Sequence, residues 1–489
     1  MNNKVVIVGA GFGGLSAASF LADEGLDVEV VEKNEQVGGR ASVLEEDGFK
    51  FDMGPSWYLM PDIFDRFFGK FDHKPEDYYS LTRLDPNYRI FFKDGDQMDV
   101  PADPEEAGKL FETYEDGAEE AFESYLQKSK ETYEIGMNEF VLKDRNNFRD
   151  YLSLDVLKNA RGISLIKKMQ DHVEEYFDNP KLQQVMQYTL VFLGGSPTNT
   201  PALYNLMSHV DFNMGVYYPE GGVYSVVEGM KELAQEQGAE FSTGEEVKRI
   251  DRENGKNIVE TEDRRIKADA VVSGADYAFT EVELLPDEYT TYDEDYWNSR
   301  TYAPGAFLMY LGVDGELDNI DHHTLVLPED WNDHFDKIFE DPEMPDNPAY
   351  YVCNASDTDD AVAPEGKSAM FVLVPIAAEM ELDEEDRQKF KDMILDDLEE
   401  NADTDLRGRI EYEKIFAGEE FQRRYNSFNG TALGIAHTLR QTSVFRPKQR
   451  SKQMENMYYT GQYTNPGIGV PMCLISGEHA AEKVVEDLE

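Results

Sequence analysis

The chain has 489 residues, 40% of them hydrophobic and 12% aromatic, which excludes a disordered composition and allows two domains or one large domain with insertions. Acid dominates: 99 Asp and Glu stand against 46 Lys and Arg, a formal charge of −53. Spread along the whole chain rather than gathered in a tail, this excess predicts a solvated surface adapted to high salt and argues against nucleic acid as a partner.

The chain enters a strand almost at once, with no charged n-region or cleavage site ahead of it. Residues 5–8 are wholly apolar and β-branched, the pattern of a strand buried on both faces. Gly9, Gly11 and Gly14 follow in G-x-G-x-x-G order, and "LSAASFLADEG" then reads as a helix ending at Gly25. A second strand, 28–31, delivers Glu32. Each glycine has a task here: Gly9 turns the chain, Gly11 lets backbone approach a pyrophosphate, and Gly14 closes helix onto strand. The helix N-terminus faces the phosphates with free N–H groups and the positive end of its dipole. Glu32 stands where an acid accepts hydrogen bonds from a ribose diol. Placed between strand and helix, with the acid on the next strand, the motif predicts a dinucleotide site rather than a structural glycine turn.

Gly38, Gly39 and Arg40 come directly after the second strand, and Gly54, Pro55 and Ser56 lie within "FDMGPSW" (51–57). Residues 185–207 concentrate apolar side chains around a glycine pair and a proline, which suits either buried core or the mouth of a lipid tunnel. "ADAVVSGAD" (268–276) reads as a strand returning to the first sheet. His322 and His323 are adjacent, so on a strand they face apart, and no metal site is expected of them. Cys353 and Cys473 form neither a disulfide framework nor a metal-ligand spacing, which suits a reducing cytoplasm. The longest apolar runs, such as 369–378, fall short of the about 18 residues that span a bilayer. Near the end, 457–460 reads as a short strand, followed by a Gly/Pro-rich loop and a helix from about Met472.

Together these elements resemble the flavin amine oxidase and carotenoid desaturase superfamily. Gly38-Gly39-Arg40 after Glu32 is similar to its extended FAD fingerprint, and "FDMGPSW" to the turn that passes close to the flavin ring. "TGQYTNPGIGVPMCLISGEHAAEKV" (460–484) resembles the C-terminal flavin element of bacterial-type phytoene desaturases. Segments 192–207, 215–230 and 428–447 look like internal blocks of the same family, so the resemblance covers nearly the whole chain.

The resemblance implies an α/β fold: a Rossmann-type FAD-binding domain, like that of glutathione reductase and the amine oxidases, with an inserted α+β substrate domain. Segments 1–60, 215–280 and 430–489 would build the first, and 61–214 and 281–429 the second. FAD would be held by Gly9, Gly11, Gly14, Glu32, Gly39, Arg40, Gly54, Pro55, Ser56, Gly461, Gly467, Val470, Pro471 and Met472, with Val247 near the adenine. The last helix would aim its dipole at the flavin edge that gains negative charge.

The implied activity is carotenoid desaturation in carotenoid biosynthesis, on phytoene or a related polyene. A saturated bond beside a polyene gives up a hydride to flavin and a proton to a base or solvent, and oxygen or a membrane quinone removes the electrons. The substrate would come from the membrane, to which a cytoplasmic protein docks peripherally. No dedicated catalytic side chain need exist. Arg149 and Asp150 resemble the family's "FRD" element, read as a structural ion pair or as an acid that accepts a substrate proton or pairs with a carbocation-like centre, and Cys473 reads as a buried thiol rather than a flavin tether. Two departures, "GQYTNPG" for an Ala-Gly-rich loop and "SGEHAA" in the last helix, point to a haloarchaeal branch or a different carotenoid. The alternatives are a carotenoid 3,4-desaturase, a flavin amine oxidase, and a non-catalytic prenyl-lipid carrier of the same fold. The intact glycine motif, Glu32 and C-terminal loop argue against the carrier.

Overall fold

A computed structural model describes residues 3–143, 167–438 and 440–489 of the chain, and Arg149 and Asp150 lie outside them. At its base is a five-stranded parallel sheet. Strand β1 (Lys4–Val8) lies between β2 (Asp27–Val31) and the strand Ala270–Ser273; Glu240–Ser242 and Met457–Tyr459 form the two edges. The sequence expected burial of β1 on both faces, and alternate residues serve different neighbours. Val5, Ile7, Val28 and Val30 pack against helices. Val6, Val8 and Val31 pack against a three-stranded antiparallel sheet made of Val247–Glu253, Lys256–Thr261 and Arg265–Ala268.

Helix α1 spans Phe12–Asp23 and so begins three residues before the expected Leu15. Two glycines in its first turn are tolerable because nothing but glycine fits there. A Cβ on Gly14 would lie 2.1 Å from the Gly9 carbonyl oxygen. The C-terminal helix Val470–Leu488 meets the same turn through Gly477, where a Cβ would lie 2.6 Å from the Gly13 carbonyl oxygen. These contacts bring helix backbones against each other and against the β1 turn.

The second layer is a seven-stranded mixed sheet in the order Ile410–Phe416, Gly305–Asp314, Lys367–Ile376, Tyr350–Asn354, His323–Leu327, Tyr88–Phe92, Gln97–Val100. The long strand Gly305–Asp314 again divides its side chains by a period of two. Phe307, Met309, Leu311 and Val313 pack with Phe390, Ile394 and Leu398 of the helix Glu384–Ala402. Ala306, Leu308 and Tyr310 turn to the other face, toward the helices Pro104–Glu112 and Ala118–Gly136.

Most of the acid sits outside these cores. The helix Glu384–Ala402 buries its apolar stripe and exposes Glu384, Glu385, Asp392, Asp396 and Glu400 on the opposite side. Such a surface repels itself wherever charges within a screening length outnumber their counter-charges. That length contracts from about 10 Å at 0.1 M salt to about 3 Å at 1 M. The melting temperature is therefore expected to fall continuously as NaCl is lowered from about 1 M to 0.1 M. Calorimetry across that series checks it, and a melting temperature that ignores salt would contradict it.

Candidate functional site

The carboxyl ends of the parallel strands open into one long cavity of about 810 Å³. Val8, Val31, Gly274, Ala275 and Asp276 all line it, which is where open parallel sheets bind ligands. Gly9, Gly11, Glu32 and Val247 line it as well, and so do Gly39, Arg40, Gly54, Pro55, Ser56, Gly461, Val470, Pro471 and Met472. Thus thirteen of the fifteen residues expected to hold the cofactor share one cavity. Gly14 and Gly467 stand behind its wall. Gly14 seats α1, and a Cβ on Gly467 would lie 2.3 Å from His437 Cε1.

The donor set fits a dinucleotide on three observations. First, α1 starts at Gly11 in extended backbone (φ −74°, ψ 176°) with no side chain to cap it. Its first N–H groups thus lack an intrachain acceptor and favour an anion. A Cβ on Gly11 would meet nothing within 4 Å, so the protein's own packing does not demand this glycine. Second, Glu32 is 5% exposed and braces the turn: Ala10 N–H donates to Oε2 at 2.8 Å and Asn34 N–H to Oε1 at 2.9 Å. Oε1 also accepts from Asn34 Nδ2 at 2.9 Å, so it is Oε2 that keeps a second lone-pair direction for a ribose hydroxyl. Third, the C-terminal helix also begins uncapped, at Gly469, with Val470 to Cys473 in the cavity wall. Its dipole suits an edge that gains negative charge.

Arg40 joins segments far apart in the chain. Its Nη2 lies 3.8 Å from Asp276 Oδ2 and donates to Ser427 Oγ at 3.2 Å, while its buried Nε lacks a hydrogen-bond partner. Burial raises the Asp276 carboxyl above its ordinary range, and Arg40 and Tyr463 pull it back. The hydroxyl of Tyr463 donates to Asp276 at 2.8 Å. The only available signal was "SGAD" at the end of a returning strand, which marks a loop at the cavity without naming its partner.

The remaining wall is apolar and aromatic, with Tyr188, Val191, Leu203, Leu206, Met207, Leu308, Leu325, Leu327 and Trp331 among its residues. Within the 185–207 segment Val185, Met186 and Leu190 are buried core, while Tyr188, Val191, Leu203, Leu206 and Met207 line the cavity. Behind Tyr188, Asp211 accepts from the hydroxyls of Tyr88 at 2.9 Å and Tyr188 at 3.0 Å, and burial pushes its carboxyl up to about 7. Sequence reasoning missed this trio, because its members lie far apart in the chain. Phe140, Val141, Val444 and Phe445 line the same cavity, and Phe445 is 59% exposed, the one large apolar side chain so placed among the described residues. Cys473 is a free, half-buried thiol in the wall.

The expectation that His322 and His323 face apart is overturned. The strand begins only at His323, and His322 belongs to the turn leading into it. Their ring centroids lie 4.6 Å apart.

Removing the Glu32 carboxylate strips an acceptor from two buried N–H groups, at a cost of about 1–3 kcal/mol each, and from the ribose. Glu32→Ala is expected to lower the melting temperature and to purify with little FAD, the dinucleotide the resemblance implies. Glu32→Gln, which keeps one acceptor oxygen, is expected to lie between. Full flavin occupancy in the alanine variant, read from its visible spectrum, would contradict the assignment.

Residues 12–485 match the family described as flavin containing amine oxidoreductase. The chain is 59% identical over 486 residues to a carotenoid 3,4-desaturase of Haloarcula japonica, covering 99% of this chain and 98% of that one. It is 32% identical to a zeta-carotene-forming phytoene desaturase of Myxococcus xanthus, covering 99% and 94%. Putrescine oxidase bound to putrescine has the same fold, with a TM-score of 0.63, 15% identity and 99% of each chain covered. Family match, fold and cavity agree, and the chain belongs to the flavin-containing amine oxidoreductase family.

Proposed function

We propose that this protein is an FAD-dependent carotenoid desaturase, and within that class a carotenoid 3,4-desaturase. The observation that carries the reading is the continuity of the cavity. One chamber joins the glycine-lined, uncapped helix N-termini to a long apolar and aromatic wall that reaches the exposed Phe445. The name of the Haloarcula japonica relative supports the 3,4 bond as the one oxidised.

Bound FAD would supply the two-electron oxidation, with oxygen or a membrane quinone as the final acceptor. The amides of α1 and the bare backbone at Gly11 would hold the diphosphate, Glu32 the ribose, and Val247 the adenine. The start of the C-terminal helix would stabilise negative charge at the ring edge. The aromatic wall would exclude water and hold an extended polyene in place. Segments 1–60, 215–280 and 430–489 would carry the cofactor, and 61–214 and 281–429 the substrate.

No helix among the described residues is long and apolar enough to cross a membrane, so a membrane-dissolved substrate requires peripheral docking. The −53 charge repels anionic lipid, which leaves apolar insertion at the Phe445 rim as the docking force, about 1.5–3 kcal/mol per buried side chain. The test is turnover of a carotenoid in liposomes at molar salt, with pigments separated by chromatography. A new 3,4 double bond is expected, and Phe445→Asp is expected to reduce liposome binding and turnover together. Oxidation of a water-soluble amine with no desaturated carotenoid would sink the reading.

A further inference from the structure

One layer behind the cavity wall, packed against the 51–57 turn, His322, His323 and Cys353 form a second cluster. Strand pairing sets Cys353 directly opposite His323, and the turn before the strand folds His322 onto its neighbour. The three residues are 3%, 1% and 5% exposed. One potential ligand atom from each lies within 4.8 Å of the other two.

The hydrogen bonding around the rings is one-sided. Nδ1 of His322 lies 2.7 Å from Thr358 Oγ1, and Nδ1 of His323 lies 2.7 Å from the Tyr351 hydroxyl. The Nε2 atom of each ring is buried and lacks any hydrogen-bond partner. Buried polar atoms are rarely left so. A hydroxyl thus holds one nitrogen of each ring and the other is left bare, the pairing of held and bare nitrogens that surrounds metal-bound histidines.

We infer that this cluster is a metal site, and that it takes one monovalent, thiophilic ion, Cu(I). Thiolate and imidazole are soft ligands that suit Cu(I). Charge decides between candidates. Cu(I) with one thiolate and two neutral imidazoles is neutral, which a buried pocket tolerates. Zn(II) in the same set keeps a positive charge and lacks the fourth ligand it ordinarily takes. On binding, the Cys353 S–H bond ionises, a sulfur–copper bond forms and one proton goes to solvent, with no change of oxidation state.

The site touches the cavity through two side chains. His323 stacks on Trp57 with ring centroids 4.0 Å apart and an interplanar angle of 8°, and Tyr351 holds Nδ1 of His323; both Trp57 and Tyr351 line the cavity. The ion would pin the 322 turn to the sheet and thereby set the position of that wall.

The test uses the flavin-loaded full chain in molar NaCl under reducing conditions. Cu(I) is supplied against a chromophoric Cu(I) chelator, and copper is counted after gel filtration. One equivalent per chain is expected in the wild type and in Cys473→Ser, and none in Cys353→Ser or His322→Gln. X-ray absorption is expected to show one sulfur and two nitrogen neighbours. Melting curves with and without Cu(I) are run on each variant that retains flavin, and only the wild type and Cys473→Ser should gain stability. The inference is overturned if the chelator keeps all the copper from the wild type. It is equally overturned if Cys353→Ser binds as much as the wild type, or if Zn(II) binds stoichiometrically while Cu(I) does not.

Discussion

Two helices begin at the cavity wall with no side chain to satisfy their first amides, and the rest of the molecule is arranged around that deficit. The amides of α1 and of the C-terminal helix carry partial positive charge and need a partner. To aim both at one chamber, the two helices cross within backbone contact at Gly477, whose Cβ would lie 2.6 Å from the Gly13 carbonyl oxygen, while Gly14 closes α1 onto its own turn. That crossing fixes the last helix against β1, and the last helix carries Val470 to Cys473 into the wall. The parallel sheet is thus a platform that holds two dipole ends at a fixed separation. On the proposed reading, the diphosphate answers one and the flavin edge the other.

The two sheets divide the chemistry. The parallel sheet ends in glycines and in polar groups that are already braced, such as Glu32 between Ala10 and Asn34 and Asp276 between Arg40 and Tyr463. The seven-stranded sheet offers the cavity Leu308, Leu325, Leu327 and Tyr351, a surface that rewards an apolar ligand at about 25 cal/mol per Å² buried. A charged amine would find little on that wall to replace its lost hydration. Outside, the distribution reverses: acid covers helices such as Glu384–Ala402, and among the described residues Phe445 alone is a large exposed apolar side chain.

Much of this was legible in the sequence, because the signals were local. The β1–α1–β2 unit, Glu32 and the closing helix each follow from patterns shorter than about thirty residues, where periodicity and glycine spacing speak directly. Boundaries erred where packing overrode propensity. Helix α1 starts at Phe12 and not Leu15 because a close contact makes Gly13 and Gly14 acceptable in a first turn, and the last helix starts at Val470 and not Met472. Juxtapositions made only by the fold were not legible. Nothing local links Arg40 to Asp276 or Tyr188 to Asp211. The histidine pair was misjudged by assuming a strand that begins one residue later. The apolar wall was ambiguous for the same reason: apolar residues around 185–207 look alike whether they fill a core or line a chamber.

The central claim is that the bare backbone at Gly11 exists for a ligand and not for the fold. Gly11→Ala isolates it, because the native φ and ψ suit alanine and the added Cβ meets no protein atom within 4 Å. The measurement is the flavin-to-protein ratio of the purified variant in molar salt, together with the melting temperature of flavin-stripped variant and wild type. The account predicts matching melting temperatures and a ratio reduced at least tenfold, a loss of about 1.4 kcal/mol or more. A variant that binds flavin at the wild-type ratio, or one whose flavin-stripped form melts well below the wild type, would contradict it.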